Sequence, residues 1–322
     1  MRAFRILQTS EKPTYSDIFL PDPGPTELRL DIRCAGLNYA DILIQNGTYQ
    51  DIPPAPFTLG MEVAGVVTGK GESVQNFSLG DRVAVFSGQD GLAEAGVFES
   101  DRAVRIPDRM SFEEAAGFQI AYGTSHLALA HRAHLQPGET LLVTGAAGGV
   151  GLTAVEIGKL MGARVIAHAR GADKLEVARA AGADHLIDDG EDLRARVLYL
   201  GGADVVYDAV GGEAFRAAFR ACNPEARLIC IGFASGDVPQ IPANHLMVKN
   251  LTAIGLYIGG YFKFRADVVR DSLATLLGWY EEGRLKPHVS HVLPFDRIQE
   301  GLDLLRARKS TGKVVIRISN DS

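Results

Sequence analysis

The sequence predicts an α/β protein of two domains: a compact all-β barrel or sandwich, and a doubly wound parallel sheet with helices on both faces. Three observations carry this. Short β-type runs broken by Gly, Pro and Asp fill residues 1–119. Apolar strands alternate with helical stretches across residues 120–258. A turn crowded with glycine stands at the first strand-to-helix junction of that second region. At 322 residues the chain exceeds one ordinary core, and 46% apolar residues give enough material to bury two.

In the first region the runs LRLDIRCAGL, MEVAGVVTGKG, DRVAVF and GVFESDRAVRIP read as closely spaced strands joined by turns, the texture of a barrel or sandwich. After SFEEAAGF the texture changes. ETLLVTGA is followed by the helical GLTAVEIGKLMGA, then RVIAHA, the helical ADKLEVARAAGA, and DHLID. ADVVYDAV, a helix through AFRAAFRAC, RLICIGF and LTAIGLYI continue the series. This alternation predicts βαβ units, and the nearly all-apolar strands suit a sheet covered on both faces. LTAIGLYI comes last and would be an edge strand, where pairing with a second copy covers an otherwise open edge, so a homodimer is expected. Residues 259–322 hold the helical DSLATLLGWYEEGRL, the extended PHVSHVLPF, the amphipathic FDRIQEGLDLLRARK and the strand GKVVIRI. They read as a return to the first domain, giving domains of 1–119 with 259–322, and 120–258.

The net charge is −6, with acids and bases interspersed, so nothing marks nucleic acid as the main partner. The start MRAFRILQTSEKPTYSD lacks an apolar core and cleavage site, and no run of about 18 apolar residues suggests a membrane span, so the cytoplasm is expected. Cys34, Cys222 and Cys230 form no C-x-x-C pair and read as free thiols. The pairs His131/His134 and His288/His291 lack a Cys, Asp or Glu at ligand spacing, so no metal site is expected.

In LLVTGAAGGVGLTAVEIGKLMGA, Gly145, Gly148, Gly149 and Gly151 crowd the turn. Glycine there permits backbone that other residues avoid and lets a pyrophosphate approach the N-terminus of the next helix. The motif follows an apolar strand and opens an amphipathic helix within one βαβ-sized unit, the context that marks dinucleotide binding. About 20 residues on, the next strand ends where an acidic residue often grips the adenosine ribose. Ala169 stands there, followed by Arg170 and Lys174. Two cations in place of a carboxylate suit the 2′-phosphate of NADPH; the plainer reading is two solvated charges on a loop.

The chain resembles the medium-chain dehydrogenase/reductase superfamily, in its zinc-free quinone oxidoreductase, or zeta-crystallin-like, branch. The likeness rests on GLNYADILIQNGTY (36–49), PFTLGMEVAGVV (56–67), GDRV (80–83), YGTSHLAL (122–129), LQPGETLLVTGAAGGVG (135–151) and IPANHLMVKNLTAIGLY (241–257), in that order over nearly the whole length. It implies a GroES-like catalytic domain and a Rossmann domain with a cleft between them. Zinc alcohol dehydrogenases of the superfamily place a metal-binding cysteine and histidine where this chain has Asn38 and Met61, while Glu62 is kept, and SGQDGLAEAG replaces the cysteine-rich lobe of a structural zinc. The resemblance therefore implies an enzyme working without metal.

It also implies site residues. Asn38, Asp41 and Tyr49 would line the substrate side, and Thr124 would neighbour the nicotinamide. Gly148, Gly149, Val150 and Gly151 would hold the pyrophosphate, with DAVGG (208–212, including Gly211), Gly232, Phe233, Ala234 and Tyr257 flanking the cofactor. Plainer readings stand beside these: Asn38 as a helix cap, Asp41 satisfying buried backbone, Tyr49 as a packing aromatic. Asp189 occupies a position where the branch often has a tyrosine at the phosphate. The expected function is NADPH-dependent reduction of quinones. The alternatives are reduction of α,β-unsaturated carbonyls, and a dinucleotide-binding sensor without turnover.

Overall fold

A computed structural model describes residues 1–8 and 11–319. The chain divides into two compact units, Met1–Ile120 with the segment from Pro287 onward, and Ala121–Lys286.

The first unit opens with strands β1 (Arg2–Ile6), β2 (Thr14–Asp17) and β3 (Glu27–Leu37), helix α1 (Tyr39–Gln45), and strands β4 (Phe57–Thr58), β5 (Glu62–Lys70), β6 (Arg82–Val85), β7 (Ala95–Glu99) and β8 (Ala103–Arg105), followed by helix α2 (Phe112–Ala116). Helix α3 (Gln119–His126) starts at the boundary. The second unit alternates from β9 to β14 and ends on two helices: β9 (Thr140–Thr144), α4 (Gly149–Leu160), β10 (Arg164–Ala169), α5 (Ala172–Ala180), β11 (His185–Asp188), α6 (Leu193–Tyr199), β12 (Ala203–Asp208), α7 (Gly212–Arg220), β13 (Cys222–Cys230), α8 (Ala243–Lys249), β14 (Thr252–Gly255), α9 (Ile258–Phe264) and α10 (Ala266–Glu281). The chain then returns to the first unit with β15 (Val289–Pro294), α11 (Ile298–Arg306) and β16 (Lys313–Arg317).

Two sheets build the first unit, one of three strands in the order β2-β1-β4 and one of seven, ordered β15-β16-β3-β5-β6-β8 with β7 also on β3. Alternation along β3 sends Leu28, Leu30, Ile32 and Cys34 inward. Its far end sits between two antiparallel neighbours: Gly36 lies opposite Glu62 of β5, and Leu37 lies opposite Val314 of β16. That register brings residues from three distant stretches of sequence to one point.

The second unit holds a six-stranded sheet in the order β11-β10-β9-β12-β13-β14, parallel throughout. This is the doubly wound sheet that the apolar strands predict, and β9 is buried along its whole length. Leu142, Ile166, Ile187, Val206, Phe215, Phe219 and Leu228 form one continuous core cluster. β14 is an edge strand, as expected from its place last in the series.

The sequence reading returns the chain to the first domain at residue 259, whereas α9 and α10 cluster with the second unit. The reason is the buried stripe of α10, Val269, Leu273 and Leu276, which finds its partners there. His126 Nδ1 lies 2.7 Å from Ser272 Oγ, and the His126 ring meets Trp279 edge-on at 5.3 Å. Among the described residues no helix is long and apolar enough to cross a membrane.

Candidate functional site

In the second unit the glycine turn follows β9. Gly145 takes φ +64°, a left-handed conformation, and Gly148 N–H donates to Gly145 O at 2.9 Å, closing the turn on itself. Gly148 caps α4, and Gly149, Val150 and Gly151 form its first turn. A Cβ added at Gly151 would lie 2.1 Å from Gly145 O, so only glycine lets the helix start this close to the strand end. Below the turn, Ser125 Oγ donates to Val150 O at 2.9 Å and lies 2.8 Å from Thr153 Oγ1 and 3.0 Å from Tyr207 Oη. Burial pushes the Tyr207 hydroxyl's pKa upward, so the network stays neutral. Thr124, the residue before Ser125 on α3, is itself buried.

The loops after β12 and β13 are stitched together. The buried Asp208 carboxylate accepts from the Thr144 hydroxyl and takes the Gly211 N–H at 2.8 Å. Gly232 N–H donates to Asp208 O at 3.3 Å, and Ala234 N–H to Ala209 O at 3.2 Å. Gly211 is left-handed at φ +73°, with the Phe233 ring 3.2 Å from where its Cβ would be. The structure thus gathers Gly211, Gly232, Phe233 and Ala234 at one end of the parallel sheet. Leu256 N–H donates to Cys230 O at 3.3 Å and brings Tyr257, half-buried at the start of α9, near the same strand end. These glycine-shaped backbone turns at the strand ends fit a bound dinucleotide.

β10 ends at Ala169, the position the sequence singles out. Arg170 is exposed beyond it, and Lys174 lies half-buried in the first turns of α5. The surroundings are more acidic than the sequence suggests: Arg170 Nε lies 3.2 Å from Asp189 Oδ2, and the Gly171 N–H donates to Asp188 Oδ2 at 2.6 Å.

In the first unit Asn38 caps α1, and its N–H donates to Asp41 Oδ2 at 2.8 Å. The Asn38 side chain faces another way. Its Nδ2 donates to Glu62 Oε1 at 2.9 Å, with a longer contact of 3.4 Å to Gly36 O, and its Oδ1 accepts from Lys313 Nζ at 2.8 Å. A donor at one end and an acceptor at the other fix the amide's orientation. Lys313 Nζ also donates to Glu62 Oε1 at 2.6 Å and Leu37 O at 2.9 Å, so its three N–H groups all have acceptors. Glu62 Oε2 takes the Ile120 N–H at 3.0 Å. Gly36 is required at this point, because a Cβ would lie 2.2 Å from Ala116 O and 2.9 Å from Glu62 Oε1.

Asp41 is fully buried, and desolvation pushes its pKa up to about 7 against the opposing pull of the Asn38 N–H and the Lys313 charge. Asp41 Oδ1 and both polar atoms of the Gln119 amide are buried with no hydrogen-bond partner among the described residues. Tyr49 lies half-buried on the bend after α1. Sequence reasoning missed Lys313: a lysine opening an apolar strand ordinarily reads as a solvated end, and only the register of β16 on β3 puts it beside Glu62.

The resemblance places metal ligands of the zinc dehydrogenases at Asn38 and Met61, next to the retained Glu62. The residues present do not fit a divalent metal. An amide and a thioether replace thiolate and imidazole, and a lysine ammonium already neutralises the remaining carboxylate. Among the described residues no group of three or more His, Cys, Asp or Glu could hold a metal ion.

Comparisons with known proteins agree with the architecture. Residues 24–112 match the alcohol dehydrogenase GroES-like domain, and residues 149–275 match the zinc-binding dehydrogenase family. The chain is 40% identical over 300 residues to a quinone oxidoreductase-like protein 2 homologue of Nematostella vectensis, covering 91% of this chain and 82% of that protein. The quinone oxidoreductase of Thermus thermophilus, solved also as its NADPH complex, superposes with a TM-score of 0.89 at 32% identity, covering 99% of this chain and 100% of that one. The Escherichia coli quinone oxidoreductase complexed with NADPH gives 0.90 at 26% identity, covering 98% and 99%.

Proposed function

The chain belongs to the medium-chain dehydrogenase/reductase superfamily, in its quinone oxidoreductase-like branch, and from that premise we propose that it is a metal-free NADPH-dependent quinone oxidoreductase. The observation that carries this reading is the pair of backbone cradles at the end of the parallel sheet, the glycine turn at 145–151 and the loops stitched by Asp208. NADPH is the cofactor of choice because relatives of similar fold were crystallised with it. Bound, it supplies a hydride from the nicotinamide C4 to an acceptor with a conjugated C=C–C=O system.

The chain's own residues would bind and orient. Gly148, Gly149, Val150 and Gly151 offer the start of α4 to the pyrophosphate, and Gly211, Gly232, Phe233, Ala234, Thr124 and Tyr257 flank the rest. In the first unit Asn38 and Tyr49 supply donors for an oxygen that becomes an enolate-type oxyanion, delocalised and less basic than an alkoxide. Asp41 acts behind Asn38, holding its backbone at the start of α1. The Lys313–Glu62 pair keeps the amide of Asn38 from turning, and its second N–H, held only by the long contact to Gly36 O, is the one a substrate oxygen would take over. A cytoplasmic location and a homodimer paired through β14 go with this reading, as do three free cysteines.

The test is NADPH oxidation against a panel of quinones, enones and alcohols. Rapid turnover with benzoquinone or naphthoquinone supports the proposal. Turnover confined to enones reassigns the chain to α,β-unsaturated carbonyl reduction, and tight NADPH binding with no turnover on any acceptor makes it a sensor.

A further inference from the structure

We propose that Asp189 sets this protein's choice between NADPH and NADH by holding Arg170 away from the 2′-phosphate; the inference rests on the dinucleotide reading above. β10 and β11 run parallel with Ala169 opposite Asp188, and the Asp189 N–H donates to Ala169 O at 3.1 Å. The backbone therefore delivers Asp189 directly beside the strand tip where the ribose is read. Its two oxygens serve different partners: Oδ2 lies 3.2 Å from Arg170 Nε, and Oδ1 lies 3.6 Å from His168 Nε2.

Asp188 occupies a second donor. Its Oδ2 accepts the Gly171 N–H at 2.6 Å and its Oδ1 the Gly190 N–H at 3.0 Å. Gly171, at φ +82°, caps α5, so the N–H leading into that helix is already turned onto a carboxylate. A turn whose sequence shows the cations Arg170 and Lys174 thus carries three anions, Asp173, Asp188 and Asp189, and a dianionic phosphate meets a neighbourhood with no net positive charge. The two acids do different work. Asp188 is bound into the backbone and shapes the turn, whereas Asp189 holds Arg170 by an exposed ion pair, of a kind that contributes little to stability. A phosphate can displace Asp189, at the cost of leaving its charge beside the newcomer. The 2′-hydroxyl of NADH faces no such repulsion.

The structure therefore predicts a dual-specificity protein in which NADPH is bound, with an advantage over NADH of less than about tenfold. Dissociation constants of NADPH, NADH, 2′,5′-ADP and 5′-AMP would be measured by calorimetry on the intact protein, wild type and Asp189→Asn, with Asp189→Ser as a second variant. Removing the charge should tighten NADPH and 2′,5′-ADP by about fivefold to tenfold and leave NADH and 5′-AMP unchanged. Adding Arg170→Ala to Asp189→Asn should cancel the gain. If NADH and NADPH bind but neither Asp189 variant alters their ratio, the role of Asp189 is overturned and the dinucleotide reading stands. If no nucleotide binds the folded wild-type protein, both fall together.

Discussion

Lys313 Nζ lies 2.6 Å from Glu62 Oε1, in a pair whose side chains are 8% and 1% exposed and whose partners are 251 residues apart. Buried charges of this kind are costly to strip from water and are tolerated because each has its counter-charge and hydrogen bonds. Removing one partner leaves the other buried and uncompensated. Lys313→Met should cost about 3–5 kcal/mol of stability, and Lys313→Met combined with Glu62→Met should recover part of that loss. Urea unfolding of both single variants and the double variant checks this; losses that simply add would show the pair to be uncoupled.

Asp41 should make stability pH-dependent. Its folded pKa, raised to about 7 by burial, exceeds its unfolded value, so its contribution is fully present below the unfolded pKa and is lost as pH rises through about 7. Between pH 5 and pH 8 the loss amounts to about 2–3 kcal/mol. His126, whose pKa burial lowers to about 4, works in the opposite sense, losing stability as pH falls from near neutrality towards 4. Asp41→Asn should abolish the first effect only. Thermal melts of both proteins across this range should diverge on the alkaline side.

Two glycines of the turn should separate folding from binding. A Cβ at Gly151 would meet Gly145 O at 2.1 Å, so Gly151→Ala should destabilise the second unit by about 1–3 kcal/mol. Gly148 has φ −79° and ψ 176°, open to any residue, and its nearest neighbour would be 3.3 Å away. Gly148→Ala, whose methyl meets Gly145 O tightly but without a hard clash, should fold with a smaller loss of stability than Gly151→Ala and lose about tenfold or more in NADPH affinity, because its methyl occupies the approach to the helix start. Melting temperature and calorimetric binding, measured on both variants, give the two readouts.

Quinone reduction should survive dialysis against a strong chelator, and zinc should not stimulate it. With a lysine ammonium on Glu62, alcohol oxidation should be feeble, since no metal lowers the alcohol's pKa. Parallel assays of both reactions, with metal content measured, decide the matter. Activity that is lost on chelation and returns with zinc would contradict it.

A charge on the outer strand should prevent the proposed pairing through β14. Ala253 is exposed on β14, the edge of the parallel sheet. In the proposed dimer Ala253→Glu would set two carboxylates against each other across the β14 edge, so light scattering should report a dimer for the wild type and a monomer for the variant; a monomeric wild type would overturn the dimer.

The fold was largely legible. Apolar runs alternating with helical stretches gave the six parallel strands, and β14 fell at the edge for the reason anticipated. The glycine turn was legible because its chemistry is local: Gly145 and Gly151 interact within seven positions of one another. What escaped was long-range. Lys313 meets Glu62 only through the register of two strands on β3. Asp189 stands where the resemblance implies a tyrosine, but its grip on Arg170 depends on the pairing of β10 with β11. The return of the chain at Pro287 rather than residue 259 turned on which surface the stripe of α10 prefers, and an amphipathic pattern does not name its partner.

The place of β16 between β15 and β3 has a consequence for how the protein is made. The second unit is continuous in sequence, so it can condense while the remainder is still being synthesised. The first unit must wait. Until residues 289–317 have left the ribosome, β3 lacks its neighbour and Glu62 lacks its cation. A nascent chain halted near Lys286 would therefore present a bare edge of β3 and a buried carboxylate without its ammonium while the second unit is already folded, a natural substrate for a chaperone and a foreseeable route to aggregation when translation stalls.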